Sequence, residues 1–203
     1  AAYVGQEING VVYAGFKPDK LNKSGFMELY SEIVAAKDLP AMPSWTEVPE
    51  HAAMKSDELI LITFKLATQI HSRSANCKYL TEISHDNPAW INPVTAAQRG
   101  IADGDAIKVT SVEGELMTTA RVTPAIVPGA VAISHHCGHW EYGRYASGKN
   151  APDGRSEADT DRIWWTSKGA HPNWIIGNRA DPMSGQLRWM DTVVTVEKAS
   201  ARA

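Results

Sequence analysis

Three histidines and a cysteine fall within five residues at His135-His136-Cys137-Gly138-His139, just ahead of Trp140 and Glu141. Imidazole nitrogen and thiolate sulfur are good ligands for zinc or copper. Spacing limits that reading. On an extended chain neighbouring side chains point to opposite faces, so His135 and His136 cannot easily hold one ion. His135 with Cys137, or Cys137 with His139, can. A cysteine among histidines also supplies the parts of a nucleophile–base pair, but no oxyanion motif accompanies it. The remaining readings are a structural loop whose histidines bond backbone groups, or a loop facing a bound ligand.

A second group lies earlier in the chain. Ile62-Thr63-Phe64-Lys65 is followed closely by Gln69-Ile70-His71-Ser72-Arg73-Ser74. Thr63, Gln69, His71, Ser72 and the distant Asn173 are short polar side chains. Such groups, held rigid at a strand end, can hydrogen-bond a polar ligand. Lys65 and Arg73 offer cationic donors to a phosphate. Phe64 and Trp174 offer flat faces for stacking. Each residue also has a plain structural role open to it. Thr63 and Phe64 fit an ordinary strand, Lys65 a solvated strand end, His71-Ser72-Arg73 a helix cap, and Asn173 a turn beside Pro172.

The elements that must position these groups are mostly short strands. Glu58 to Phe64 is nearly all apolar, as in a strand buried on both faces. Further strands are expected at Ala89–Asn92, Ala106–Ser111, Leu116–Thr123, Ala130–Ser134 and Thr192–Val196. Turns are expected at Asp103-Gly104-Asp105, Glu113-Gly114 and Pro128-Gly129. Pro93 to Arg99 reads as a short helix stopped by Gly100. Residues 143–162 are rich in Gly, Ser and Asp and read as a long loop. Six short strands with tight turns predict a mainly β fold with short helices, closed into a barrel from about Asp57 onward.

Residues 1–50 read differently. Phe26, Leu29, Ile33 and Val34 fit one face of a short helix, although Met27–Tyr30 fits a strand as well. Three prolines between Leu39 and Pro49 favour an extended linker. The expected division is an N-terminal arm and Pro-rich linker over 1–50, lying outside a barrel domain over 51–203. The start at Ala1-Ala2-Tyr3, with no methionine, reads as an internal cut.

Composition narrows the function. The 203 residues suit one domain, or one domain with an arm. The formal net charge of −3 gives no basic surface for nucleic acid or an anionic membrane. No apolar run reaches the roughly 18 residues of a membrane helix. Two cysteines, Cys77 and Cys137, cannot make a four-thiolate cluster, and they can equally well pair or stay free.

The ordered pieces taken together carry a resemblance. They run from Ile62-Thr63-Phe64-Lys65 and Gln69-Ile70-His71-Ser72-Arg73-Ser74, through Asn87-Pro88-Ala89-Trp90-Ile91-Asn92-Pro93 and Gly100-Ile101-Ala102-Asp103-Gly104-Asp105. They continue to His171-Pro172-Asn173 and Asp181-Pro182-Met183-Ser184-Gly185. This order resembles the C-terminal molybdopterin-dinucleotide-binding domain of the dimethyl-sulfoxide-reductase superfamily, nearest to thiosulfate, polysulfide, tetrathionate and arsenate reductases. The Ser24–Glu32 stretch is similar to the handover from the preceding domain.

The resemblance implies a double-psi β-barrel, of the aspartate-decarboxylase type, binding molybdopterin guanine dinucleotide with molybdenum or tungsten on its dithiolene sulfurs. It places Thr63, Phe64, Lys65, Gln69, His71, Ser72, Arg73, His135 and Asn173 toward that cofactor. It assigns no catalytic residue and no protein metal ligand to this chain. The metal's protein ligand and the iron–sulfur cluster belong, by resemblance, to earlier domains of the same catalytic subunit. Those domains and an iron–sulfur electron-transfer subunit are the implied partners, in an anaerobic respiratory enzyme for which a periplasmic location fits and a cytoplasmic one stays open. The chain alone is then expected to be inactive. The alternative is a stand-alone barrel that binds a small molecule or a protein without redox chemistry.

Overall fold

The computed structural model describes residues 5–12, 27–138, 165 and 169–199. The expected loop over 143–162, His139 and residues 24–26 of the handover stretch lie outside them. The chain divides into two compact units, Ala1–Thr46 with Pro182–Gly185, and Glu47–Asp181 with Gln186–Ala203.

The first unit holds a two-residue hairpin, β1 (Glu7–Ile8) with β2 (Val11–Val12), turned at Asn9 and Gly10, both at positive φ. It also holds α1 (Glu32–Ala35), capped by the Ser31 hydroxyl, which accepts from the Val34 N–H at 3.3 Å. Met27–Tyr30 takes neither helix nor strand. After Pro43 the chain has no regular element up to Val48. Pro49 does not extend that stretch. It opens α2 (Pro49–Ala52), where its missing N–H costs nothing.

The second unit is a closed barrel. Its strands are β3 (Leu59–Phe64), β4 (Ala89–Ile91), β5 (Ala106–Thr110), β6 (Glu115–Val122), β7 (Ala130–Ser134) and β8 (Thr192–Lys198). Their order around the barrel is β3-β7-β4-β6-β5-β8, with β8 pairing back onto β3. The six expected strands are the six barrel strands, each within a residue or two of its expected ends. Short helices α3 (Lys78–Ile83) and α4 (Pro93–Gln98) lie between strands. Asn92 caps α4, accepting from the Val94 N–H at 2.9 Å.

Side-chain alternation explains the core. Leu59 and Leu61 of β3 point inward with Ile91, Ile107, Val109, Val131, Ile133 and Val194. Each such side chain contributes roughly 1.5–3 kcal/mol on burial. The opposite face of β3 is only half-buried, not sealed as its apolar run suggests: Ile62 and Phe64 pack with Trp90 over Ile126, Ala130 and Ala132. Phe64 and Trp90 meet as tilted rings 4.7 Å apart. The strand buried on both faces is β7 instead, with Val131 and Ile133 inside and Ala130 and Ala132 under the outer cluster.

β3 and β7 run parallel, with Thr63 opposite Ile133 and Phe64 opposite Ser134. Their carboxyl ends therefore reach the same rim of the barrel. The buried Asn87 fixes that rim. Its amide donates to the Ser134 carbonyl at 2.6 Å and the Ala170 carbonyl at 2.7 Å. Its own carbonyl oxygen accepts from the Ala170 N–H at 2.8 Å. The joint is tight. A Cβ on Gly169, at φ +123°, would lie 2.2 Å from Asn87 Oδ1, and one on Gly138 would lie 2.3 Å from the His171 nitrogen. Replacing Asn87 with alanine strands three buried backbone groups. We expect a loss of about 3 kcal/mol, read as a lower urea midpoint with an unchanged slope.

Candidate cofactor site

A cavity of about 510 Å³ opens at this rim. The end of β3 contributes Thr63, Phe64 and Lys65. A 3₁₀ turn over His71–Ser74 contributes His71 and Ser72. His135, the residue after β7, and Asn173, in a 3₁₀ turn over Pro172–Trp174, complete the polar side. The parallel strand ends and the two turns thus bring together seven of the nine expected residues.

The other two lie elsewhere. Gln69 is buried at 1% exposure behind the His71 turn and does not line the cavity. Its amide donates to the Leu80 and Ser84 carbonyls at 3.1 and 3.3 Å, and its oxygen accepts from the Ser74 hydroxyl. Ser74 Oγ in turn accepts from the Ile70 N–H at 2.7 Å. Gln69 therefore braces the segment that presents His71 and Ser72. Arg73 is on the same turn but is exposed and outside the lining. Trp174, a stacking candidate, is 55% exposed and also outside it.

Four further residues line the cavity: His171, Leu187, Trp189 and Met190. His171 had a sequence signal, two residues before Asn173. The other three had none. They lie in an irregular stretch held by charge pairs. Glu50 of α2 meets Arg179 at 2.6 Å and Arg188 at 3.5 Å, and Arg188 meets Asp191 at 2.6 Å. A hydrogen bond from Glu50's own backbone N–H to its carboxylate, then the Arg179 guanidinium, hold the Glu50 carboxyl below its usual value. Thr63 ties the stretch to β3, its hydroxyl donating to Met190 Sδ at 3.9 Å. The apolar wall thus faces the end of β3.

The histidines are arranged unusually. His71 sits at φ +50°, a left-handed conformation that a side chain with a Cβ adopts at a cost. Its ring stacks on His135 with centroids 4.7 Å apart and planes 25° apart. Burial first, then the His71 and Lys65 charges, lower the His135 pKa. Its Nε2 is buried with no hydrogen-bond partner. His136 turns the other way, into the protein, with its Nδ1 2.8 Å from the Ser134 hydroxyl. The cysteines are both free, Cys77 exposed and Cys137 buried. Burial, then the Asp86 charge, push the Cys137 thiol up to about 12. A thiol so protonated is no nucleophile near neutral pH.

The lining suits a flat, polar, anionic ligand. It offers a lysine, imidazoles, two hydroxyls and an amide together with the apolar Phe64, Leu187, Trp189 and Met190. The volume falls in the range of small-molecule sites.

Comparison with known proteins gives the family. The sequence profile of the molydopterin dinucleotide binding domain matches residues 59–192. The chain belongs to that family. Among its relatives, dimethyl sulfoxide/trimethylamine N-oxide reductase of Cereibacter sphaeroides is 34% identical over 137 residues, covering 62% of this chain and 17% of its own. The arsenate respiratory reductase molybdopterin-containing subunit of Shewanella sp. strain ANA-3 is 31% identical, with 69% of this chain and 16% of its own covered. The thiosulfate reductase molybdopterin-containing subunit of Salmonella typhimurium is 28% identical, with 81% and 19% covered. This dinucleotide-binding domain therefore spans less than a fifth of the length of these relatives. Acetylene hydratase from Pelobacter acetylenicus shares the fold at a TM-score of 0.62 and 20% identity, over 88% of this chain and 24% of its own.

Two outcomes follow for this domain. At pH 8 a disulfide thiol reagent should titrate one cysteine, Cys77, quickly, and Cys137 only after denaturant is added. The lowered His135 pKa means that the folded state prefers the neutral ring. Its contribution to stability is full above the unfolded value near 6.5 and is lost as pH falls through it toward the folded value. His135→Gln should therefore lose less thermal stability than wild type between pH 8 and pH 5. An equal loss in both proteins would show that the ring is not held neutral.

Proposed function

We propose that this domain binds molybdopterin guanine dinucleotide as one wall of the cofactor site in the catalytic subunit of a molybdenum, or tungsten, oxidoreductase. The observation that carries the reading is the cavity to which Lys65, His71, Ser72, His135 and Asn173 all contribute at the shared end of β3 and β7, in a chain of this family. The reductase names of its relatives support the reaction class. Remaining domains of the subunit supply the opposite wall, and an iron–sulfur protein is the proposed electron partner. Residues 1–50 are proposed as the arm joining those domains to the barrel over 51–203.

Each residue has a proposed task. Phe64 and Trp189 provide flat apolar faces for a ring. Thr63, Ser72 and Asn173 match the alternating donors and acceptors of a heterocycle. Lys65 faces the negative charge. Gln69 acts at one remove, through the turn that it braces. Arg73, exposed on that turn, is placed to hold a phosphate at the cavity's edge with two parallel hydrogen bonds. When bound, the cofactor supplies the redox-active metal. His71 can donate a hydrogen bond to a ring nitrogen or a dithiolene sulfur and so tune that metal without contacting it.

In the full-length enzyme, Arg73→Ala should lower metal and guanine content per mole. His71→Gln should leave content nearer normal and shift the reduction potential or the rate. Variants that match wild type in content and in redox titration would remove this turn from the cofactor site. The 203-residue chain by itself should turn over no sulfur or arsenic oxyanion with any electron donor. It should also bind guanosine nucleotides only weakly, because a one-sided site leaves the ligand wet. Calorimetry giving sub-micromolar affinity would contradict the one-wall reading.

A further inference from the structure

The apolar wall of the cavity hangs on two short legs of chain. The Arg188 N–H donates to the Arg179 carbonyl at 2.8 Å, and the Asp181 N–H donates to the Gln186 carbonyl at 2.7 Å. Between these bonds Ala180 bridges Leu187 in antiparallel register, which sets Arg179 directly opposite Arg188. Neighbouring side chains on extended legs alternate between faces. The two arginines therefore share one face. Leu187, on the other, lines the cavity with Trp189 and Met190 just beyond it.

Like charges directly opposite each other across two extended legs are destabilising. Here one carboxylate resolves the conflict. Glu50, on the single turn of α2, takes Arg179 on one oxygen at 2.6 Å and Arg188 on the other at 3.5 Å. Asp191 adds a contact to Arg188 at 2.6 Å. Among the described residues these are the ion pairs of the two guanidinium groups. Beside Glu50, the His51 ring donates to the Asp191 carbonyl at 2.9 Å. Leu187, Trp189 and Met190 lie outside both core clusters. Their stretch is tied to the rest of the unit at this clasp and at Met190 Sδ, 3.9 Å from the Thr63 hydroxyl.

We propose that Glu50 is a positioning residue that acts as a gate: its clasp on Arg179 and Arg188 holds the Leu187–Met190 wall against the cavity, and release of the clasp lets the wall swing away and opens the cavity to its ligand. This rests on the reading of the cavity as a ligand site and adds control from a residue outside the lining. The clasping side chains are partly exposed, so each pair is weak and screened by salt. Without Glu50, one carboxylate, that of Asp191, is left for two guanidinium groups, and their repulsion drives the legs apart. A small change in attraction thereby becomes a change of sign at the base of the wall.

The test begins with the 203-residue chain, using nuclear magnetic resonance and hydrogen exchange. In wild type a methyl cross-peak should join Met190 to Thr63, and the Asp181 and Arg188 amides should be protected. Glu50→Gln should weaken the cross-peak and speed both exchanges roughly fivefold, with the amides of β3 and β7 unchanged. At about 1 M salt, where screening acts over about 3 Å, the two proteins should converge. The double variant Glu50→Gln with Arg179→Gln removes the repulsion too, and should recover part of the protection. Unchanged exchange and cross-peak in Glu50→Gln would overturn the proposal. So would a double variant more open than Glu50→Gln. If Glu50→Gln also loosens β3 and β7, the double variant decides, because only a clasp predicts recovery. In the full-length enzyme, Glu50→Gln should lose guanine several-fold faster on dialysis, while the fraction still loaded keeps the wild-type reduction potential. A wild-type rate of loss there would overturn the gate. An enzyme with no guanine at all would sink the cofactor reading instead, and the measurements on the short chain would still decide the clasp.

Discussion

The parallel pairing of β3 with β7 is the constraint on which the rest of the site depends. Parallel strands end at the same rim, and the register that sets Phe64 opposite Ser134 leaves Lys65 and His135 as the next residues out. These polar residues are 70 positions apart in the chain (135 − 65). They meet because Leu61, Val131 and Ile133 are fully buried in one core. A slip of one residue would turn those side chains outward and lose several kcal/mol of burial. The functional rim thus borrows its precision from the barrel interior. Closure adds to this, since β8 pairs back onto β3 and leaves no free sheet edge.

Around that rim, buried polar side chains act as fasteners. Asn87 joins the end of β7 to the segment that leads to His171 and Asn173. Gln69 and Ser74 anchor the turn carrying His71 and Ser72. Both amides are almost wholly buried, and their oxygen and nitrogen all find partners. Buried amides contribute to stability only when satisfied in this way. Among the described residues, unpartnered buried side-chain atoms include His135 Nε2, on a residue of the cavity lining, and Arg179 Nε, Asp191 Oδ1 and Thr192 Oγ1, on residues outside it.

The apolar wall depends on a different force. Leu187, Trp189 and Met190 belong to no strand or helix, and the core does not fix them. Charge pairs from Glu50 to Arg179 and Arg188 hold the stretch, with His51 donating to the Asp191 carbonyl at 2.9 Å. Partly exposed ion pairs of this kind are individually weak. One side of the cavity is thus built into the barrel, and the other is held by contacts that can give way.

The sequence by itself determined the strands and the chemistry of the rim. Alternation at Ala106–Thr110 and the apolar runs at β3 and β7 reflect only local periodicity against water, and such patterns are visible along the chain. The ordered polar pieces carried the family as well, because a ligand constrains residue types at fixed places. Tertiary structure alone decided how those residues are used. Gln69 reads like His71 and Ser72 in the sequence, but it is turned inward to brace the turn. His135 and His136 read alike too, but strand geometry sends one ring to the cavity and the other to Ser134. The stacked histidine pair, the sealed Cys137 and the Leu187–Met190 wall had no sequence signal. Each rests on contacts between segments distant in the chain, and periodicity carries no information about such contacts.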